Sequence, residues 1–121
     1  MSAQAWIGVA ILGSTGSLAR FLLDRAISSR SSSGFPFGTL AVNVSGALAL
    51  GLLSGLALSG EALVLTGSAA IGSYTTFSTW MFETHRLGED GQLLPAALNV
   101  LVSVVAGLGA AVLGRSIGGA L

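Results

Sequence analysis

This chain of 121 residues is 52% hydrophobic and carries only five acidic and five basic side chains. A water-soluble domain is roughly a quarter charged, so a share of 8% cannot cover a surface facing water and implies one facing lipid. Zero net charge offers no basic face for nucleic acid, the lack of cysteine removes disulfides and thiolate metal sites, and a lone histidine, His85, argues against a histidine zinc site.

Met1 to Ala5 carries no basic residue ahead of the apolar run Trp6 to Leu12, unlike a cleavable signal peptide, so the whole chain is expected to stay in the membrane. A crossing needs about 20 apolar residues. Four stretches qualify, and they predict an all-α, single-domain membrane protein over residues 1–121. The first span is Ala3 to Leu23, ended by the polar loop Ser28 to Gly34 and by Pro36. The second is Phe37 to Leu58, closed by Ser59-Gly60-Glu61. The third is Ala62 to Arg86, followed by the loop Gly88 to Gln92. The fourth is Leu94 to Gly114, with Pro95 in its first turn, where a missing N–H is harmless. Strands are not expected, because the apolar runs are long and rich in Ala, Leu and Gly.

Small residues recur every four positions at Ala47, Gly51 and Gly55, and again at Ala106, Ala110, Gly114 and Gly118. Such stripes let helix backbones approach closely in lipid. They suit packing within the chain or an interface between subunits, and both readings stand at this point. Four thin helices enclose little room for a solute, which favours a dimer. With both termini on one side, Arg25, Arg30 and Arg86 fall on the opposite side and only Arg115 joins the termini. That bias mildly favours loops one and three in the cytoplasm and leaves dual insertion open.

The polar residues within the spans are mostly neutral hydrogen-bond donors. Arg20 and Asp24 are one turn apart and suited to pair. Asn43 and Ser45 lie in the second span, and Asn99 and Ser103 in the fourth. Glu83 is placed to cap its helix or pair with Arg86. Thr39 and Ser45 are expected to bond their own backbone or join helices. Donor groups without deep carboxylates suit a dehydrated anion better than a cation or a proton relay. Phe77 and Trp80, three apart, share a face and present ring edges of positive character. No nucleophile–base pair stands out, so no enzymatic activity is expected.

The run Gly72-Ser73-Tyr74-Thr75-Thr76-Phe77-Ser78-Thr79-Trp80 is a poor continuous helix, since hydroxyl and β-branched side chains compete for the backbone. A break here frees carbonyls on one side and N–H groups on the other, which makes an ion site.

Taken together, the chain resembles the CrcB, or Fluc, family of fluoride channels. The resemblance rests on Gly13 to Phe21, on Phe37-Gly38-Thr39-Leu40-Ala41-Val42-Asn43-Val44-Ser45-Gly46, on Gly72 to Thr79, and on Asn99 to Ser103 with Gly107. It implies an antiparallel, dual-topology dimer of four-helix subunits with a broken third helix, in the inner (plasma) membrane, that passively exports fluoride. The resemblance further implies that Asn43 donates to fluoride, that Phe77 turns its ring edge to the ion, and that Ser78, Thr79 and Ser103 line a polar track. It implies a structural Na+ held by the carbonyls of Gly72 and Thr75, and a vestibule role for Arg20. The chain departs from the family pattern at Trp80, which replaces a second phenylalanine of the pore, and at Asn99, which replaces a frequent tyrosine. The partner subunit is either an identical copy or a paralogue. Two other classes are a proton-coupled efflux transporter, disfavoured because the first span carries no glutamate, and a non-conducting membrane subunit.

Overall fold

In hydrocarbon every backbone N–H and C=O must find its partner within the protein, so long apolar runs close on themselves as helices. The computed structural model, which describes residues Met1–Leu121, is helical with no strand. Helix α1 spans Ala3–Ser28, with the Ser2 hydroxyl capping it by accepting the Ala5 N–H at 3.1 Å. Helix α2 spans Phe37–Gly55. Four residues of α3, Gly60–Leu63, then lead into a π-helical stretch, Val64–Ile71. Helix α4 is the single turn Gly72–Tyr74, α5 spans Ser78–Glu89, and α6 spans Leu93–Ala120.

Helices α1, α2 and α6 are long and apolar enough to cross a membrane. Their 26, 19 and 28 residues span about 39, 28 and 42 Å at about 1.5 Å per residue, against a hydrocarbon core of about 30 Å. Helix α1 passes the expected end at Leu23 because polar residues extend a helix beyond hydrocarbon without breaking it. Its stop is the Ser-rich loop with Gly34 and Pro36. Helix α2 stops at Gly55, three residues before Leu58, where the chain turns through Ala57 at a φ of 55°. Residues 60–89 are divided among several pieces.

The contacts fix relative direction. Gly51 meets Ala111 and Gly55 meets Arg115, so α2 and α6 run parallel. Gly8 meets Leu65, Gly16 meets Ala70 and Ser73, and Arg20 reaches Thr75, so α1 runs parallel to residues 65–75. By contrast Thr39 meets Glu83 and Asn43 meets Thr76, which sets α2 antiparallel to residues 76–83.

The glycine stripes are used within the chain. A Cβ at Gly51 would overlap the Ala111 carbonyl oxygen, one at Gly114 the Leu48 carbonyl, and one at Gly118 the Leu52 carbonyl. Backbone contact of this kind replaces the hydrophobic drive that lipid cannot supply. Only four hydrophobic residues are buried, namely Ala5, Val42, Ala69 and Leu87. Leu101, Val105, Leu108 and Val112 of α6 are each at least 60% exposed and form one apolar stripe on the outside of the chain.

Candidate functional site

The site grows out of the stop between Tyr74 and Ser78. In a continuous helix the Thr76 N–H would close on the Gly72 carbonyl. Instead Thr75 is extended, with ψ of 160°. The Thr76 N–H donates to Asn43 Oδ1 at 2.8 Å, and Asn43 Nδ2 donates to the Thr76 carbonyl at 2.8 Å. One side-chain amide thus satisfies both backbone groups of the interrupted residue. Thr76 also tidies the restart, because its Oγ1 accepts the Thr79 N–H at 3.2 Å. Gly46 makes room for this, since a Cβ there would collide with Thr75 Cγ2.

Arg20 donates to the Thr75 carbonyl at 3.3 Å and forms no ion pair with Asp24, which instead accepts from Ser28 Oγ at 3.0 Å. Proximity within a helix loses here to a carbonyl left without its helical donor. Glu83 likewise ignores Arg86 and accepts from the Thr39 hydroxyl at 2.5 Å. Thr39 is buried, so its hydroxyl joins two helices instead of bonding its own. Ser45 does both, donating to the Val42 carbonyl and lying 2.8 Å from the Tyr74 hydroxyl.

Cavities line up along these residues. A polar recess of about 330 Å³ at the loop end is walled by Glu83, Arg86 and Asp90. Next is a cavity of about 200 Å³ holding Arg20, Asp24, Thr39, Thr76 and Thr79. Beyond Thr76 lies a groove of about 360 Å³ with Asn43, Gly72, Thr75, Phe77 and Trp80. A last groove of about 290 Å³ is lined by Asn43, Trp80, Ser103 and Gly107. Thr76 is shared by the second and third, and Asn43 and Trp80 by the third and fourth.

Of the residues singled out from the sequence, Asn43, Phe77, Trp80, Gly72 and Thr75 therefore meet in one groove, and Ser103 joins Asn43 and Trp80 in the next. Thr79 and Arg20 belong to the cavity on the other side of Thr76. Ser78 is exposed, lines none of these spaces and makes no side-chain hydrogen bond. Thr84, which sequence reasoning passed over, and Thr76, named there only as part of the run 72–80, turn out to link the elements, as does Thr39, for which joining helices was one of two expectations. The only local signal was their being hydroxyls in apolar runs. The two grooves around Asn43 hold neutral donors and aromatic rings, without a charged side chain.

This combination, a bundle with lipid-facing exteriors and a broken segment walled by neutral donors, defines an integral membrane protein built to pass a small solute or ion. The family profile described as "CrcB-like protein, Camphor Resistance (CrcB)" matches residues 7–115, and the chain belongs to that family. It is 53% identical over 115 residues to "Fluoride-specific ion channel FluC 2" of Mycobacterium tuberculosis, covering 95% of this chain and 91% of that one. The FluC 2 of Mycolicibacterium paratuberculosis is 56% identical over 112 residues, covering 93% and 92%. "Fluoride-specific ion channel FluC 1" of Frankia casuarinae is 40% identical over 121 residues, covering 93% and 94%.

Proposed function

We propose that this protein is a passive, fluoride-selective channel that lets the ion leave the cell. One observation carries the reading: the grooves either side of Asn43 offer neutral N–H and O–H donors and ring edges, with no fixed charge to trap the ion. Fluoride is small and holds its water tightly, so a pore must replace that hydration with short hydrogen bonds. Asn43 has a second amide hydrogen left after the Thr76 carbonyl takes one. Ser103 and Thr79 add hydroxyls, and Phe77 adds a ring edge. Ser78 joins this track only through contact with a second chain. A larger halide in the same narrow path cannot reach all donors at short distance. Arg20, which shares the cavity beside the grooves with Asp24, offers an arriving anion a guanidinium at the vestibule.

Residues 60–89 serve in this reading as the third of four crossings, broken at Thr75. The directions of contact favour it, because α1 runs with residues 65–75 and α2 with α6. Phe77 is 71% exposed, so a single chain leaves the groove without an outer wall. A second copy, inserted the opposite way in the inner membrane, supplies one. The carbonyls of Gly72 and Thr75 suit a structural Na+ at that junction. The Asn43 latch draws the Thr76 N–H away from Gly72, and Thr75 keeps a lone pair beyond the one taken by Arg20. Bound there, Na+ would neutralise carbonyl ends of the break. A paralogous partner is the second reading, favoured by relatives numbered FluC 1 and FluC 2 and by Trp80 and Asn99 at ring positions.

The test is fluoride efflux from liposomes containing this chain alone, with chloride as comparison. Rapid fluoride loss with chloride retained is the expected result. Chloride leaving as fast as fluoride ends the selective-channel reading, and flux that appears only with a second, paralogous chain selects the heterodimer.

A further inference from the structure

We infer that Trp80 is a positioning residue for Phe77 and not itself a ligand of the ion, a claim that rests on the channel reading above. Indole has one polar group, the Nε1–H, and no acceptor. In this chain it donates to the Asn99 carbonyl at 3.1 Å. Asn99, only 1% exposed, donates its amide to Thr84 Oγ1 at 2.8 Å. The Thr84 hydroxyl donates to the Trp80 carbonyl at 2.8 Å. The three bonds close a ring between α5 and α6 that holds the indole in one place.

What the indole then holds is Phe77. That ring is 71% exposed and has one aromatic neighbour, Trp80, at 5.6 Å between centroids and 83° between planes. Edge-to-face contact matches the quadrupoles of the two rings and fixes which part of the phenyl ring points into the groove. A phenylalanine at position 80 keeps the stacking partner but has no N–H with which to reach α6. Trp80, Asn99 and Thr84 therefore act as one unit: the indole is anchored on α6 through the backbone carbonyl of Asn99, and the Asn99 amide ties that residue back to α5. The donor that tryptophan adds to the groove lining is already spent, and it changes the stiffness of the Phe77 ring instead of the number of ligands.

The experiment is a mutant cycle read by fluoride efflux from liposomes, normalised to protein that elutes like the wild type. Trp80→Phe keeps an aromatic neighbour for Phe77 but loses the bond to α6, and is expected to slow flux by roughly two- to tenfold, the range that one hydrogen bond is worth. Thr84→Val is expected to act in the same direction through Asn99, and Thr84→Ser to restore the rate. In a Phe77→Ile background, Trp80→Phe is expected to cause no further loss, because nothing remains to be positioned. Losses that multiply in the double variant mean that Trp80 meets the ion itself and overturn the inference, as does an unchanged rate in Trp80→Phe. A second readout uses a Trp6→Phe protein, in which Trp80 is the one remaining tryptophan and is excited apart from Tyr74. Its emission in fluoride-free buffer is expected to shift on Thr84→Val, whereas an emission that Thr84→Val leaves unchanged shows that the ring of bonds does not hold the indole and overturns the assignment. A wild type that passes no fluoride at all brings down the channel reading, and the inference with it, and so is distinct from a conducting wild type with an additive cycle.

Discussion

The seam between α2 and α6 and the interruption at residues 75–77 solve the same problem in opposite ways. Both bring polypeptide backbones together in an apolar medium. Along the seam each helix satisfies its own N–H and C=O groups, and glycines remove the side chains, so Gly51, Gly55, Gly114 and Gly118 touch backbone directly. At the interruption the helix gives up its own bonds, and side chains from other elements take them over: Asn43 for Thr76, Arg20 for Thr75. The first arrangement is dry and closed. The second leaves donors, rings and cavities, which is the condition for passing an ion. A membrane protein this small keeps its rigidity and its chemistry in separate places.

The largest expected effect tests the seam. Gly114→Leu puts a side chain into the Leu48 carbonyl and is expected to abolish recovery of monodisperse protein in detergent. Gly109→Ala, on the same helix with nothing within 4 Å, is expected to shift stability by no more than about 1 kcal/mol. Equal tolerance of both substitutions would show that the seam is not packed by backbone contact.

Next comes the latch. Asn43→Ala strands the N–H and the C=O of Thr76, each costing about 1–3 kcal/mol if left unpaired. A lowered thermal transition in detergent and a fluoride flux reduced at least about tenfold are expected, since each factor of ten is about 1.4 kcal/mol. Asn43→Asp keeps the acceptor for the Thr76 N–H but sets oxygen against the Thr76 carbonyl. It is expected to lose flux as well. Wild-type flux in both variants would remove Asn43 from the pathway.

A smaller effect is expected at Thr39→Val, which deletes the hydroxyl donating to Glu83 at 2.5 Å. Loss of this bond is expected to lower stability by about 1–3 kcal/mol, with Thr39→Ser recovering most of it. An unchanged melting temperature for Thr39→Val would mean that the bond between α2 and α5 contributes nothing. The smallest effect belongs to Ser78→Ala, since that side chain is exposed and unbonded within the chain. Stability of the isolated chain is expected to hold within about 0.5 kcal/mol. A large loss of flux on that background would show that the hydroxyl works against a second subunit.

Much of the outline is legible in the sequence because it depends on local chemistry. Low charge and long apolar runs require helices, and Gly34 with Pro36, Gly60 and Gly91 mark the turns. The clash of hydroxyl and β-branched residues at 72–80 points to the one place where a helix would have to stop. Partners are another matter. Arg20 with Asp24 and Glu83 with Arg86 were reasonable pairs by spacing, yet Arg20 and Glu83 found partners on other elements, and Asp24 accepted from Ser28 of its own helix instead. Spacing along a helix is worth only a few tenths of a kcal/mol for such pairs, less than a carbonyl or hydroxyl left unpaired in a dry interior costs.

Sequence by itself determined that this chain lives in lipid, that it is helical, and that residues 72–80 concentrate its polar chemistry, because composition and propensity act locally. Tertiary structure alone decided that Asn43 closes on Thr76, that the glycine stripes are consumed inside one chain, and that the Trp80 N–H is spent on α6. Those outcomes depend on which unpaired group lies within hydrogen-bonding reach, and that distance does not exist until the helices have packed.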